Sequence, residues 1–251
     1  MQTFTPPTRL IFQLFHACCL AAAAWYPASG ADWPQWMGPA RDGIWREAGV
    51  VEEIPAAGLP VKWRVPVKGG YSGPAVADGR VYLTDYDRPV GPLANAPNDR
   101  TAIAGRERVC CFEAATGRLL WEHAYDCPYS ISYAAGPRCT PTVTGYSLGA
   151  EGNLFCLDAE GGRVLWQKDF KQDYSAPTPL WGFCGHPLVE GDLLICLVGG
   201  PGSVAVAFDK ETGEERWRAL SASESGYCPP TMIEHNGQRQ LVIWDADNLN
   251  A

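Results

Sequence analysis

The chain has 251 residues, of which 46% are hydrophobic, so it is long enough to bury a core of ordinary domain size. Its formal net charge of -8 excludes non-specific nucleic-acid binding, which requires a basic surface. With 27 glycines, 21 prolines and 10 tryptophans, the composition favours many short strands joined by turns and argues against long helices.

The N-terminus has the pattern of an export signal. Arg9 precedes an apolar run over residues 10–25, and small residues follow up to Ala31. A basic residue, an apolar run and a small-x-small site are typical of a signal peptide. A membrane anchor is the alternative, but the run is short and contains two polar residues. We therefore expect residues 1–31 to be a cleaved signal peptide, no transmembrane segment after cleavage, and a periplasmic or secreted mature protein.

One hairpin pattern occurs three times along the chain. In residues 109–121, 154–166 and 205–217, an apolar strand ends at an acid, a glycine turn follows, and a second strand opens with a tryptophan. Glycine adopts the positive φ that such a turn requires. We interpret the recurrent acids as side chains that hydrogen-bond the turn.

A second repeated element precedes each of the three hairpins and occurs once more after the last of them. It begins near Gly73, Thr140, His186 and Pro229, and it has the pattern of a short strand, a turn and another strand. Each unit therefore contains four predicted strands, which make one blade of a β-propeller. A two-sheet sandwich is the alternative for an all-β composition, but it does not explain the recurrent hairpin.

These motifs resemble the pyrroloquinoline-quinone (PQQ)-like repeat family, from about Trp63 to the last residue. The opening residues 32–43 are similar to the mature start of exported bacterial members of that family. The resemblance implies an all-β propeller of four-stranded antiparallel blades, roughly seven or eight in a complete ring. We expect a truncated propeller with about four blades over residues 62–251, after an N-terminal extension over residues 32–61.

The repeated tryptophans and glycines are predicted to pack neighbouring blades together. Stacking of the tryptophans on a cofactor is the alternative, but their regular position after the turn favours packing. The residues predicted to have this structural role are Trp63, Trp121, Trp166, Trp217, Gly117, Gly162 and Gly213.

The predicted ligand site lies where the long loops meet the inner strands. Loops over residues 86–107, 126–139 and 170–185 are expected to share one rim of the ring. The candidates for a ligand funnel at that rim are Tyr71, Ser72, Arg138, Trp181, His186 and Tyr227. The alternative is that the loop aromatics cap blades and that the arginine pairs with a neighbouring acid.

Adjacent Cys110 and Cys111 suggest a redox site. Some quinoprotein alcohol dehydrogenases carry an adjacent-cysteine disulfide beside PQQ. Both residues here fall inside a predicted strand, where such a disulfide would strain the backbone. We therefore interpret them as small packing residues.

The remaining cysteines do not have the spacing of a metal site. Cys139, Cys184 and Cys228, with His186, match no compact zinc pattern, so no metal is predicted. A disulfide such as Cys127–Cys139 is the expected alternative in an oxidising compartment.

Two functions are compatible with these features. The first is an exported scaffold that binds a small ligand or a periplasmic or envelope protein, without a catalytic site in this sequence. The second is an oxidoreductase that uses PQQ and Ca²⁺ on alcohols or sugars, which the resemblance alone implies. No catalytic residue can be assigned, and a nucleic-acid partner is not expected.

Overall fold

The computed structural model of the protein describes residues 30–49, 51–92 and 97–251. Residues 1–29 of the predicted signal peptide lie outside the described residues. Ala31–Ala251 form one compact unit. Over the described ranges, no helix is both long enough and apolar enough to span a bilayer.

The elements of this unit are short strands and one turn of helix. In chain order they are β1 (Ala75–Ala77), β2 (Arg80–Asp87), β3 (Thr101–Ile103), β4 (Arg106–Glu113), β5 (Leu119–Asp126), β6 (Tyr129–Ile131), β7 (Tyr146–Leu148), β8 (Asn153–Leu157), β9 (Val164–Asp169), α1 (Phe170–Tyr174), β10 (Leu188–Glu190), β11 (Leu193–Leu197), β12 (Ala205–Asp209), β13 (Glu215–Ala219), β14 (Thr231–His235), β15 (Gln238–Trp244) and β16 (Leu249–Asn250).

Four antiparallel sheets, called blades here, follow one another along the described part of the chain. The first blade has the order β1–β2–β4–β5, and the third has the order β10–β11–β12–β13. The second (β7–β8–β9) and the fourth (β14–β15–β16) have three strands each. The prediction of an all-β propeller with antiparallel blades is confirmed, and the expected four strands are present in two of these four sheets.

The second blade lacks the predicted first strand for a local reason. Thr142 donates its N–H to the Tyr146 carbonyl at 2.9 Å, and Gly145 N–H donates back to the Thr142 carbonyl at 3.0 Å. The chain therefore makes a tight turn beside β7 where the other blades begin with a strand.

Two of the predicted loops contain a small sheet of their own. β3 pairs antiparallel with β6, so the loops after β2 and β5 are joined. The ring of Tyr86 stacks on that of Tyr129, with centroids 3.9 Å apart and an interplanar angle of 3°. Both tyrosines are buried. Regular spacing in the sequence did not indicate this pair, because neither strand belongs to the repeat.

The recurrent acids bond their turns, as the sequence predicts. Asp209 Oδ1 accepts hydrogen bonds from the backbone N–H groups of Glu211 at 3.0 Å and Thr212 at 2.9 Å. Arg216 donates to Asp209 Oδ2 at 2.5 Å. Together with the turn N–H groups, this guanidinium lowers the pKa of the Asp209 carboxyl. The acid therefore stays ionised and keeps the hairpin in one conformation.

Each of three repeat tryptophans packs on the glycine turn of the following hairpin. A Cβ atom placed on Gly117, Gly162 or Gly213 would lie 2.7, 2.5 or 2.7 Å from the nearest tryptophan ring atom. The corresponding indole N–H groups donate to carbonyl oxygens beside the same turns. These contacts are Trp63 to Ala114 at 2.9 Å, Trp121 to Ala159 at 3.1 Å and Trp166 to Lys210 at 3.1 Å.

The fourth repeat tryptophan, Trp217, has a different environment. It is half-buried against the apolar cluster of Leu197, Val204 and Ile243, between the third and fourth blades. It also packs against a second apolar cluster that contains Leu188, Ile195 and Ala207 of the third blade.

Candidate functional site

The segment over residues 33–41, called the strap, lies across the first strand of the first blade. Trp33 and Val76 exchange both backbone hydrogen bonds, with N–O distances of 2.7 and 2.9 Å. Val143, in the turn that begins the second blade, donates its N–H to the Pro34 carbonyl at 2.9 Å. The strap is thus bound to two blades through its backbone, as an added strand would be.

The other end of the strap reaches the third and fourth blades through Arg41. Its guanidinium donates to the carbonyl oxygens of Pro187 at 3.1 Å, His186 at 3.4 Å and Pro230 at 3.3 Å. The same guanidinium lies 5.3 Å from the ring centroid of Trp36. Because one short segment contacts all four blades, their leading edges must converge on it.

A cavity of about 510 Å³ opens beside the strap. Its walls are mainly aromatic and apolar, with one arginine, one histidine and one threonine. The lining residues are Trp33, Trp36, Met37, Tyr71, Gly73, Pro74, Val76, Arg138, Thr140 and His186. Such a surface can bind an aromatic or aliphatic group and orient it through a few polar contacts.

Arg138 is held in the cavity wall by backbone carbonyl groups. Its guanidinium donates to the carbonyl oxygens of Ser132 and Tyr133, both at 2.8 Å, and of Gly136 at 2.5 Å. It lies 5.1 Å from the centroid of the Tyr71 ring. The alternative pairing with a neighbouring acid is not the contact seen, and the arginine instead presents a fixed cation beside an exposed aromatic ring.

His186 is neutral at physiological pH in this site. Burial, followed by the charge of Arg41, lowers its pKa to about 4. Its ring stacks on Trp36 with centroids 4.9 Å apart and an interplanar angle of 25°. Its Nδ1 atom is buried and makes no hydrogen bond of ordinary geometry within the described part of the chain.

The structure brings together three of the six predicted ligand residues. Tyr71, Arg138 and His186 line the cavity beside the strap. Ser72 is adjacent in sequence, but its hydroxyl donates to the Thr84 carbonyl at 2.9 Å and accepts from the Thr84 hydroxyl at 2.7 Å. Its hydroxyl is therefore occupied in holding the start of the first blade.

Of the other two predicted residues, Tyr227 lies at a second cavity and Trp181 lies beside Tyr227. Trp181 and Tyr227 contact each other with ring centroids 4.9 Å apart. Tyr227 lines a cavity of about 330 Å³ together with Cys228 and Trp244. The six candidates thus separate into two places on the propeller.

Sequence reasoning missed the strap. It assigned residues 32–61 to an extension without a role, whereas Trp33, Trp36 and Arg41 make many of the contacts at the cavity. One signal was available, since two tryptophans and an arginine within a short Pro- and Gly-containing segment indicate docking more than a solvated loop.

The expected disulfide is not formed. Cys127 and Cys139 are free thiols; Cys127 Sγ lies 3.7 Å from Asn153 Oδ1, and Cys139 Sγ lies 3.7 Å from the Phe183 carbonyl oxygen. The two sulfurs have separate partners because the strand after Cys127 is β6 of the small β3–β6 sheet, whereas the strand after Cys139 is β7 of the second blade. Burial raises the pKa of the Cys139 thiol well above its usual range, so this thiol stays protonated and unreactive.

The adjacent cysteines Cys110 and Cys111 are also free and buried. They lie in β4, facing Leu83 and Tyr82 of β2 respectively. Burial raises the pKa of the Cys110 thiol to about 12.

Acidification is expected to destabilise the protein through His186. Its folded-state pKa of about 4 lies below the ordinary value of 6.5, so between these values the unfolded chain binds the additional proton. The free energy of unfolding should therefore fall by about 3 kcal/mol as the pH drops through this window, at about 1.4 kcal/mol per pH unit. Urea unfolding at several pH values, for wild type and for His186→Gln, measures the contribution. Parallel pH profiles for the two proteins would contradict it.

The chain matches the sequence profile of a known protein family. The sequence profile of the family described as outer membrane protein assembly factor BamB matches residues 105–243, which is more than half of the chain. No curated protein matches the sequence.

Solved structures with a similar arrangement of strands include two dehydrogenases and one assembly factor. Quinohemoprotein alcohol dehydrogenase from Comamonas testosteroni is 21% identical over 76% of this chain and 28% of its own, with a TM-score of 0.47. Quinohemoprotein alcohol dehydrogenase ADHIIG from Pseudomonas putida HK5 is 24% identical over 62% of this chain and 21% of its own, with a TM-score of 0.39. BamB from Moraxella catarrhalis is 20% identical over 59% of this chain and 46% of its own, with a TM-score of 0.37. The chain spans less than half the length of each of these proteins.

Proposed function

The chain belongs to the PQQ-like repeat family described as outer membrane protein assembly factor BamB, and from this premise we propose that it is an exported scaffold that binds an extended segment of a partner protein. The partner segment would lie along the leading edges of the blades, beside Tyr71 and Arg138. The scaffold would act at the cell envelope, in keeping with the description of its family. One observation carries the proposal: the protein already binds a peptide there, namely its own strap.

The contacts of the strap show which interactions this surface makes. Val76 offers a backbone N–H and a carbonyl to an antiparallel partner, and Val143 offers an N–H. The His186 ring offers a stacking face, and backbone carbonyls accept from a guanidinium. Backbone pairing supplies affinity in strand addition, while side-chain positions supply selectivity.

The cavity beside the strap extends the same surface. Tyr71 is 49% exposed there and lies beside the fixed guanidinium of Arg138. Aromatic rings and arginines in a concave site are the side chains that dominate binding energy in protein interfaces. The cavity is therefore suited to an aromatic or aliphatic side chain of the partner segment.

The cavity does not fit Ca²⁺ with a quinone cofactor. Ca²⁺ prefers six to eight oxygen ligands, supplied mainly by carboxylates, carbonyls and amides. Among the described residues that line the cavity there is no carboxylate and no side-chain amide. Arg138, which could pair with a cofactor carboxylate, already donates to three carbonyl groups. We derive no catalytic step for this site.

Peptide arrays test the proposal directly. The full chain should bind a subset of 12-residue peptides on a random array, and Tyr71→Ala should weaken the tightest of them at least tenfold in solution. Trp45→Ala is the matched control, because Trp45 is 60% exposed and does not line the cavity. Equal loss in both variants, or no peptide bound at tens of micromolar, would contradict a peptide-binding role. Saturable one-to-one binding of PQQ with Ca²⁺, together with dye reduction, would replace it with an oxidoreductase.

A further inference from the structure

The carbonyl oxygens that contact Arg41 form a site of their own. They belong to His186 and Pro187 at the start of the third blade, and to Pro230 at the start of the fourth. Pro187 and Pro230 have no backbone N–H, so this part of the surface offers acceptors without competing donors. Its chemistry is therefore that of a receptor for a cation with several N–H groups.

The geometry of the contacts fits a guanidinium better than an ammonium. Two nitrogens of Arg41 reach carbonyls of two neighbouring blades at 3.1 to 3.4 Å. The flat group also faces the Trp36 ring at 5.3 Å, and that ring stacks on His186. A planar guanidinium can donate to several carbonyl groups and stack on an aromatic ring at the same time, whereas the compact ammonium of lysine cannot.

The strap fits this site imperfectly. Arg41 Nε is buried and makes no hydrogen bond within the described residues. His186 Nδ1 is buried too and has no hydrogen bond of ordinary geometry there, although the Cys184 backbone acts on the ring. A buried polar atom without a partner costs free energy. A ligand that made these hydrogen bonds, or placed the two atoms in water, would compete with the strap.

Few backbone hydrogen bonds join the strap to the blades. The bonds to Val76 and Val143 fix its first two residues, Trp33 and Pro34. Its last residue, Arg41, reaches the blades through its side chain, and its backbone N–H donates only within the strap, to the Gly38 carbonyl at 3.1 Å. Between these points Trp36 remains half-buried. Release of Arg41 would therefore free most of the strap while the blades keep their own hydrogen bonds.

From these contacts we propose that the carbonyl groups of His186, Pro187 and Pro230, with the His186 ring, are an arginine-selective subsite for the partner segment, and that the strap occupies it as a displaceable internal ligand. This inference rests on the proposed peptide-binding function and adds the class of partner. The partner segment carries an aromatic residue and an arginine with the spacing of Trp36 and Arg41. Its binding opens the site by displacing residues 36–41.

A synthetic peptide that spans residues 32–43, carrying a fluorescent label, tests the subsite in trans. The receptor is the full chain with Arg41→Ala, in which the subsite is unoccupied, and wild type is the comparison. The peptide should bind Arg41→Ala at least tenfold more tightly than it binds wild type. The same peptide with arginine 41 replaced by lysine should bind Arg41→Ala at least tenfold more weakly than the original.

Equal affinity of the arginine and lysine peptides for Arg41→Ala would overturn the selectivity. Failure of the original peptide to bind Arg41→Ala, while limited proteolysis shows cleavage within the strap, would overturn the subsite itself. If circular dichroism shows that Arg41→Ala does not fold, Arg41→Lys serves as the receptor, with the same expected order of peptides. Array peptides that bind through Tyr71 without containing arginine would support the scaffold and contradict only this inference.

Discussion

Replacing Trp121 with alanine is expected to destabilise the protein by about 3–5 kcal/mol, because this half-buried indole packs tightly on its neighbours and its removal leaves a large cavity. The indole packs on Gly162 of the following hairpin and donates to the Ala159 carbonyl at 3.1 Å. It also contacts the ring of Tyr82 within its own blade, with centroids 6.0 Å apart. The change therefore removes contacts within the first blade and between the first and second blades. Urea unfolding followed by tryptophan fluorescence and circular dichroism measures the loss.

Two controls separate this effect from a general loss of apolar surface. Leu119→Ala, in the same strand, removes a side chain of a residue that is 48% exposed and should cost less than about 1 kcal/mol. Gly162→Ala and Gly79→Ala share the strain of a positive φ, at 73° and 70°, but a Cβ on Gly79 meets nothing within 4 Å. Gly162→Ala should therefore be the more destabilising by about 1–3 kcal/mol, through its clash with the indole. Equal values would contradict tight packing between the blades.

Replacing Asp85 with asparagine is expected to cost about 3–5 kcal/mol, because it removes the buried carboxylate that binds two nitrogens of Arg108 and leaves that guanidinium only the more exposed Glu122, at 2.8 Å. Asp85 accepts from Arg108 Nε at 2.7 Å and from Nη2 at 2.6 Å, and the backbone N–H of Lys68 also donates to it at 2.7 Å. The side chain of Asp85 is only 2% exposed and that of Arg108 is 17% exposed. The carboxylate thus joins β2 and β4 to the segment before β1. Urea unfolding of the variant gives the loss.

Asp126→Asn is the matched control, since it breaks a pair between β4 and β5 of the same blade. Asp126 Oδ1 lies 3.3 Å from Arg106 Nε, and the two side chains are 91% and 55% exposed. Exposed ion pairs contribute about 0–1 kcal/mol. A loss of stability for Asp85→Asn as small as that for Asp126→Asn would show that solvent screens both pairs.

The repeat hairpin could be predicted because its cause is local. An acid that bonds its own turn, a glycine with positive φ and a tryptophan opening the next strand all lie within one short stretch of sequence. The third hairpin shows this. Asp209 accepts a hydrogen bond from the turn, Gly213 has a positive φ, and Trp217 lies in the next strand. Repetition of the same stretch then indicated blades, since one such unit cannot bury its apolar faces alone.

The pairing of β3 with β6 could not be predicted in the same way. Both strands are three residues long and lie outside the repeat, so no spacing marks them. They pair because the ends of β2 and β5 hold the two loops side by side, which brings Tyr86 onto Tyr129. The contact depends on tertiary position and has no local sequence pattern.

Only part of the candidate site could be predicted, because the rest of it also depends on tertiary position. Tyr71, Arg138 and His186 lie just before the blades begin, and the repeat places those positions around one axis. Tyr227 also lies just before a blade, yet it turns toward a second cavity, and Trp181 from a long loop contacts it there. Loop direction depends on contacts with other loops, which no single repeat contains.

The sequence by itself determined the all-β class, the blade as the repeated unit and the packing chemistry of its hairpin, because short-range turns and alternating strands depend on neighbouring residues. Only the tertiary structure decided where the strap lies. Trp33 meets Val76, and Arg41 meets Pro187 and Pro230, across long stretches of chain. Such contacts are stable only after four blades have assembled and brought their leading edges together. The site that we assign to a partner segment is therefore a property of the assembled blades, and no single repeat encodes it.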